Sequence, residues 1–481
     1  MNRPTALALI AVLWAGIYLP GLGSTEIKGE EGRRILPAVT MLETGNWLVP
    51  YVGGKPFLRK PPLVNWAIAG MFKLTGVRNE WTARLPAALC VLALGLMIVA
   101  VSGAGWITVE TSVVAALMAM TQAGLLAKAR FAGAEIEGIY APLSGMAMVL
   151  WLAWRARGVS PWLLWTAPAV LLGLACLAKG PSLHLLFYYV VVIAVLWRAK
   201  ALRELLHPAH FLGVAIAAGI FAAWAVPYFQ APEAHGAAEV WKRQGIDRFT
   251  DSEFNAVNWM TNIPRALLDQ LPWLLLLPML LRRRRLSEWI SGSCLPIALA
   301  VCFAAVLLVP GTLPRYVLPL GAPFALLLAA AWCEGKPTRP LRLTVGAALL
   351  ASLAMAIYAV FAVPRINEHD DIRPVAAAID AALPPGAHLT IYDPSYLPAI
   401  FYLRTPYRYA PFMEDIPSDA GWVLARSAAR RKFEEKRPEL RVFKIIEGKG
   451  KSELLLLQRA PDGQKVAAPS PEPGPQERGR Q

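Results

Sequence analysis

Uncharged apolar runs recur along this chain at residues 5–25, 85–109, 111–127, 139–154, 159–178, 180–197, 211–232, 270–281, 289–314, 316–333 and 343–364. Most approach the roughly twenty residues that an α-helix needs to cross a bilayer, and short charged loops separate them. The pattern predicts a polytopic α-helical membrane protein with about eleven transmembrane helices. The runs at 139–154 and 270–281 are short for a full crossing and must borrow flanking residues.

The basic residues test this register, because one span gained or lost would invert every later loop. With the N-terminus cytoplasmic, the short loops carrying Arg155 and Arg157, then Arg198, Lys200 and Arg203, the block 282–285, and Lys336, Arg339 and Arg342 all fall inside. Three longer segments then fall outside: 24–84, 233–269 and everything after 365. The expected location is the inner (plasma) membrane, with the C-terminal part extracytoplasmic. Residues 1–23 could instead be read as a cleaved signal peptide, but no small-x-small site follows and cleavage would remove a span that the register uses.

Within the first outside segment, charge alternates with apolar residues over 26–45, as in a helix lying along the membrane interface. Gly45-Asn46-Trp47 breaks it, Val52-Gly53-Gly54-Lys55-Pro56 reads as a turn, and Lys60-Pro61-Pro62 restarts a helix. Trp47, Tyr51, Trp66 and Trp81 stand where interfacial aromatics would. After Pro364 the pattern becomes that of a soluble domain. Helices are expected at 372–382, 396–403 and 426–437, strands at 387–392 and 421–424, and a hairpin from 440–446 and 454–458. The domains are therefore 1–364 in the membrane, a small extracytoplasmic α/β domain at 365–460, and a proline-rich tail at 461–481 expected to be disordered.

Composition agrees: 56% of the 481 residues are hydrophobic and only 17% charged, against about a quarter charged in soluble proteins. The formal charge of +15 comes mostly from span-flanking residues, so nucleic acid is not an expected partner. The five cysteines lie within or at the ends of apolar runs, and no disulfide framework is implied. No internal repeat is visible, which argues against transporters built from inverted halves.

The stretch Glu30-Glu31-Gly32-Arg33, Met41-Leu42, Gly45-Asn46-Trp47-Leu48-Val49-Pro50, Lys60-Pro61-Pro62-Leu63, Trp66 and Arg84-Leu85-Pro86 resembles the first loop of polyprenyl-phosphate-dependent glycosyltransferases of the GT-C type, close to the aminoarabinose and protein O-mannosyl transferases. Ala129-Arg130 with Glu135 resembles their second acidic site. Ala178-Lys179-Gly180-Pro181 resembles a recurrent span boundary, Arg248-Phe249 the middle outside loop, and Pro314-Arg315-Tyr316-Val317-Leu318-Pro319 a late motif. The small C-terminal α/β domain also fits.

The resemblance implies inverting transfer of a sugar from a polyprenyl-phosphate donor, such as one on undecaprenyl phosphate, to a lipid, glycan or protein acceptor outside the cytoplasm. Lipid A or protein glycosylation is the expected setting. Glu30 inherits the catalytic carboxylate, which is Asp in the family, and Glu135 the second acid, also usually Asp. Both departures lengthen the side chain by one methylene. A departing phosphate needs cations, so Lys60 is expected to hold it, helped by Arg33, Arg59, Arg315 and Tyr316. A poorly nucleophilic hydroxyl needs a carboxylate to take its proton, the role expected of Glu30. Glu31 and Arg248 are assigned to the substrate loop.

Plainer readings stand beside these. Lys60 could cap a helix, Arg84, Arg130 and Arg315 could snorkel to the headgroups, Tyr316 could be an interfacial anchor, and Lys179 could serve topology alone. In the aminoarabinose branch a Glu before Lys-Pro-Pro and a His before Arg-Phe look like metal ligands. Here those positions hold Arg59 and Gly245, so no zinc site of that kind is expected. Glu30, Glu31 and Glu135 could still gather a divalent cation. A non-catalytic translocator of lipid-linked sugars, or a binding scaffold, is the alternative function. A translocator would line a path with polar groups inside several spans, whereas these charges gather at span ends.

Overall fold

The computed structural model describes residues 1–27, 29–103, 105–243, 256–278, 294–309, 312–394, 397–447 and 453–460. Lys28, Arg248, Gly245, the basic block at 282–285 and the tail at 461–481 lie outside the described residues. The chain divides into two compact units near Asp371 and Ile372, seven residues beyond the boundary expected from sequence.

The first unit is helical. Among the described residues, Glu80–Ala100, Pro161–Lys179, Pro208–Gln230, Pro314–Cys333 and Thr338–Glu368 are long and apolar enough to cross a membrane. Val109–Met120 and Ala123–Phe131 together make another span, bent by 55° at their junction. Arg3–Tyr18, Leu183–Arg198 and Leu295–Leu308 are apolar but shorter. The run at 270–281 instead contains a 3-10 turn, Trp273–Leu276, and passes out of the described residues at 279. Gln122, between α-helical Val109–Met120 and Ala123–Leu126, and the 3-10 segment Pro314–Leu320 interrupt the regular helices, and Gln122 donates to Gly321 O at 2.9 Å.

Labels follow chain order: α1 Arg3–Tyr18, α2 Gly32–Thr44, α3 Leu63–Thr75, α4 Glu80–Ala100, α5 Val109–Met120, α6 Ala123–Leu126, α7 Glu137–Ala156, α8 Pro161–Lys179, α9 Leu183–Arg198, α10 Pro208–Gln230 and α11 Ala237–Lys242. The interfacial helix α2 starts after a 3-10 turn, Gly29–Glu31, and stops at Gly45, whose φ of 73° few side chains tolerate. Strands β1 Tyr51–Val52 and β2 Lys55–Pro56 pair antiparallel around Gly53 and Gly54, both at positive φ as a tight hairpin turn requires. Asn79 and Thr82 close a capping box on α4. The first loop thus folds largely as its turn residues dictate.

Its position is set by tryptophans. Trp224 on α10 donates its indole N–H to Leu48 O at 3.0 Å, and Trp241 on α11 donates to Leu58 O at 2.8 Å. Trp66 donates to Trp47 O at 2.8 Å. Val49, Leu177, Trp224 and Tyr228 bury against one another around these bonds. Indole rings offer a large apolar area with one donor that must be satisfied when buried, so they hold the hairpin on the helices at a fixed height.

The second unit is a five-stranded sheet in the order β4-β3-β5-β7-β6, where β3 is Leu389–Tyr392, β4 Tyr407–Ala410, β5 Trp422–Arg426, β6 Leu440–Glu447 and β7 Glu453–Arg459. β3 is parallel to β4 and β5, and β7 is antiparallel to β5 and β6. The expected hairpin is β6–β7. The edge strand β4 is absent from the sequence reading, because Tyr-Arg-Tyr-Ala between two prolines is too short to show an alternation. Helix Arg373–Ala382 is present as expected, whereas the expected helix at 426–437 begins as part of β5 and becomes helical only at Arg430–Lys436. Val423, Phe433, Leu455 and Leu457 form this unit's core.

Candidate active site

The sequence spaces the candidate charges over nearly three hundred residues, and the first unit brings Arg59, Lys60 and Arg315 to one end of α7, α8 and α9, whereas Glu30 and Glu135 do not line the cavity that opens there. Lys179 ends α8, where its positive charge suits the negative end of the helix dipole. Glu137 opens α7, where a carboxylate suits the positive end. The Lys179 Nζ and the Arg315 Nε each stand 3.3 Å from Glu137 Oε1. Lys179 also lies over the rings of Tyr140 and Tyr316, at 4.6 and 4.7 Å from their centroids. Such a cation–π pair favours a cation at that point without neutralising it.

A cavity of ≈ 310 Å³ opens here, lined by Arg59, Lys60, Tyr140, Lys179, Ser182 and Tyr316 among others. Among its described lining residues three are cations and none is an acid. Leu58, one residue before Arg59, accepts from Tyr228 and Trp241, so the hairpin anchor fixes the two cations as well. Burial, then repulsion from Lys179 and Arg34, pulls the Lys60 ammonium down to about 8, with Glu137 opposing. Pro62, not Lys60, holds the N-cap position of α3.

Arg34 stands behind the cluster on α2. It is 6% exposed, its Nη1 makes no hydrogen bond, and burial lowers it to about 10. Glu137, Glu30 and Glu135 all act on it electrostatically, with Glu137 foremost among them. Glu30 is half exposed in the 3-10 turn and accepts from Arg33 at 2.8 and 3.0 Å. Glu135 accepts from Lys128 at 2.8 Å, and burial raises its carboxyl above the ordinary value against the pull of that lysine.

Four sequence expectations, on Glu31, Arg84, Arg130 and Arg33, are corrected. Glu31 does not face a substrate: it is fully buried, and both its oxygens receive Arg84 donors at 2.8 Å. Arg84 in turn does not snorkel. It is 1% exposed and also donates to the carbonyls of Leu22, Thr25 and Glu26. Arg130 likewise turns inward, donating to Ile17 O and Pro20 O. A buried ion pair with every donor used fixes the start of the first loop on α4. Arg33, expected near the donor phosphate, is engaged with Glu30 and does not line the cavity. Arg315 reaches the cluster through Glu137.

Three residues of this cluster escaped the sequence reading: Glu137, Arg34 and the chemical role of Lys179. An ionisable residue at the border of an apolar run is itself a signal, and Glu137 carries it two residues after Glu135. Among the described residues, no group of three His, Cys, Asp or Glu side chains could hold a metal ion.

Residues 28–232 match the family described as dolichyl-phosphate-mannose-protein mannosyltransferase, the stretch that holds Glu30, Lys60, Glu137 and Lys179. The chain has the GT-C fold: it is similar to the structure of ArnT from Cupriavidus metallidurans bound to undecaprenyl phosphate, with a TM-score of 0.70 and 16% identity over 95% of this chain and 98% of that one.

Particular relatives narrow the class. The chain is 27% identical, over 69% of its length and 62% of the relative's, to the undecaprenyl phosphate-alpha-4-amino-4-deoxy-L-arabinose arabinosyl transferase of Pseudomonas savastanoi pv. phaseolicola. It is 28% identical to the protein of that name from Pseudomonas aeruginosa, over 74% of this chain and 66% of the other. The chain thus spans about three-fifths of the first relative's length. It is similar to polyprenyl-phosphate glycosyltransferases of the aminoarabinose transferase kind.

Proposed function

We propose that the chain transfers a sugar from a polyprenyl-phosphate donor to an acceptor hydroxyl on the extracytoplasmic side of an inner membrane, with inversion. The observation that carries this reading is the wall of Arg59, Lys60 and Lys179 in the cavity, with no acid among its described lining residues, backed by Glu137 and Arg315. A phosphodiester enters that wall with one negative charge and leaves as a phosphate monoester with up to two. Cations that already repel one another are better satisfied by the second charge than by the first, so they stabilise the transition state more than the bound donor.

The acceptor oxygen attacks the anomeric carbon while the bond from that carbon to the phosphate oxygen breaks. The bonding electrons leave with the polyprenyl phosphate, and the hydroxyl proton passes to Glu30. Glu30 sits at the loop edge with Arg33 orienting its carboxylate. Glu135, raised by burial and steadied by Lys128, orients the acceptor. Similarity to relatives that are named for an undecaprenyl phosphate-linked aminosugar supports the donor class. The run of basic loops supports a cytoplasmic N-terminus and an extracytoplasmic second unit.

The test is transfer of labelled sugar in membranes supplied with a panel of polyprenyl-phosphate sugars. Glu30→Gln should lower turnover by about a hundredfold or more while donor binding is kept. Equal turnover by the mutant and wild type would remove Glu30 from the reaction. Binding of donors by wild type with no transfer to any acceptor would favour the translocator.

A further inference from the structure

Ser182 occupies the N-cap position of α9, where a serine oxygen ordinarily accepts from a backbone N–H of the first turn. Here the side chain makes no such bond. Its Oγ stands 3.1 Å from the Tyr140 hydroxyl and 3.2 Å from His184 Nδ1, and the Tyr140 hydroxyl is 3.3 Å from that same nitrogen. His184 is fully buried, whereas Ser182 and Tyr140 both line the cavity that holds Arg59, Lys60 and Lys179. On the other side of the imidazole, Nε2 faces Cys176 Sγ at 3.5 Å, and the ring also hydrogen-bonds the backbone of Leu172, one turn earlier on α8. A backbone carbonyl only accepts, which assigns the ring hydrogen to Nε2 and leaves Nδ1 an acceptor.

We propose that Ser182 binds the phosphate of the polyprenyl donor through its hydroxyl, and that His184 is the positioning residue that holds this hydroxyl at the cavity wall. Tyr140 can donate to Oγ and Nδ1 can accept from it, so the pair draws the serine away from the cap of its own helix. The two hydroxyl oxygens and Nδ1 share two hydrogens. When Ser182 turns its hydrogen to a phosphate oxygen, Tyr140 can turn its own to Nδ1, and the buried ring nitrogen is not left unpaired, a loss that would offset the new bond. Lys60, Lys179 and Arg59 attract the phosphate by charge, whereas a hydroxyl held at one point adds direction. The inference rests on the reading of this cavity as a phosphate site and deepens it.

The full-length protein in nanodiscs, examined by native mass spectrometry, would be titrated with undecaprenyl phosphate and with undecaprenol, which lacks the phosphate. Ser182→Ala should bind undecaprenyl phosphate at least about tenfold more weakly, the value of one hydrogen bond to a charged group, and undecaprenol as wild type does. His184→Phe should show the same loss. Ser182→Ala combined with His184→Phe should lose no more than Ser182→Ala alone, because the imidazole acts through the hydroxyl. Undecaprenyl phosphate binding unchanged in Ser182→Ala would overturn the proposal, and so would an equal loss for both lipids, the mark of a disturbed fold. A further loss in the double variant would strike out the positioning role of His184. Lys60→Ala keeps the two readings apart: weaker phosphate binding there with none in Ser182→Ala sinks only this inference, whereas unchanged binding in both variants sinks the phosphate site itself.

Discussion

Lys60 is the residue whose chemistry is most exposed to measurement. Its ammonium is drawn down to about 8, first by burial and then by its cationic neighbours. A lysine lowered in this way is charged below that value and neutral above it. Donor capture by the free enzyme should therefore fail as the pH rises through about 8, giving kcat/KM an alkaline limb there. Lys60→Arg should carry the limb well above that range, because guanidinium keeps its proton. A limb that stays in place in Lys60→Arg would assign it to another group. The Glu31–Arg84 pair gives a contrasting test. Arg84→Met removes the guanidinium that donates to both oxygens of the buried Glu31 carboxylate and should cost about 3–5 kcal/mol of stability, whereas Arg84→Met with Glu31→Gln should cost less. Thermal unfolding in detergent reads the difference, and additive losses would mean that the two are not coupled. Lys60, Arg315 and Tyr316 were singled out because they sit in the motifs Lys60-Pro61-Pro62 and Pro314-Arg315-Tyr316, and Arg59 because it adjoins the first. Glu137 and Arg34 were not, since their role depends on which face of α7 and α2 turns inward, and one apolar sequence does not fix helix rotation.

At the scale of elements, α7 carries the site because it can approach its neighbours closely. A Cβ at Gly138 would stand 2.8 Å from Ala87 Cβ and 2.9 Å from Lys128 O. Gly138→Val should push α7 off α4 and displace Glu137, its neighbour in sequence, lowering turnover by about a hundredfold. Gly219→Val on α10 is the control, since nothing lies within 4 Å of that position. Equal activity in both variants would show that the α7 contact does not position the cluster. Turns and caps were the most legible elements: Gly45, Gly53-Gly54 and Lys60-Pro61-Pro62 fall where local chemistry places them. The last apolar run was read too short, at 343–364, because Arg339, Arg342 and Arg365 look like borders. The helix continues through them from Thr338 to Glu368, as long basic side chains allow.

The whole molecule has two units with separate cores, and their stabilities should part accordingly. Phe433 is 1% exposed and meets Tyr392 edge to face at 5.2 Å. Phe433→Ala should cost the second unit about 3–5 kcal/mol, seen as earlier proteolysis of residues after 371, with donor binding by the first unit unchanged. Loss of donor binding in step with that proteolysis would mean the two units share the site. Composition and spacing reveal the membrane class and the C-terminal domain at this scale, because both depend on segment averages. The convergence of Lys60, Lys179, Glu137 and Arg315 does not, being a product of packing among helices far apart in sequence.

That convergence is the centre of the account, and binding of undecaprenyl phosphate tests it most directly. Wild type, Lys60→Ala and Lys179→Ala should be compared by calorimetry in nanodiscs, below pH 8. Each charge-assisted contact is worth about 1.5–3 kcal/mol, so each variant should bind at least about tenfold more weakly. Affinity unchanged in both variants would mean that the cation wall holds no phosphate, and the proposed reaction would lose its site.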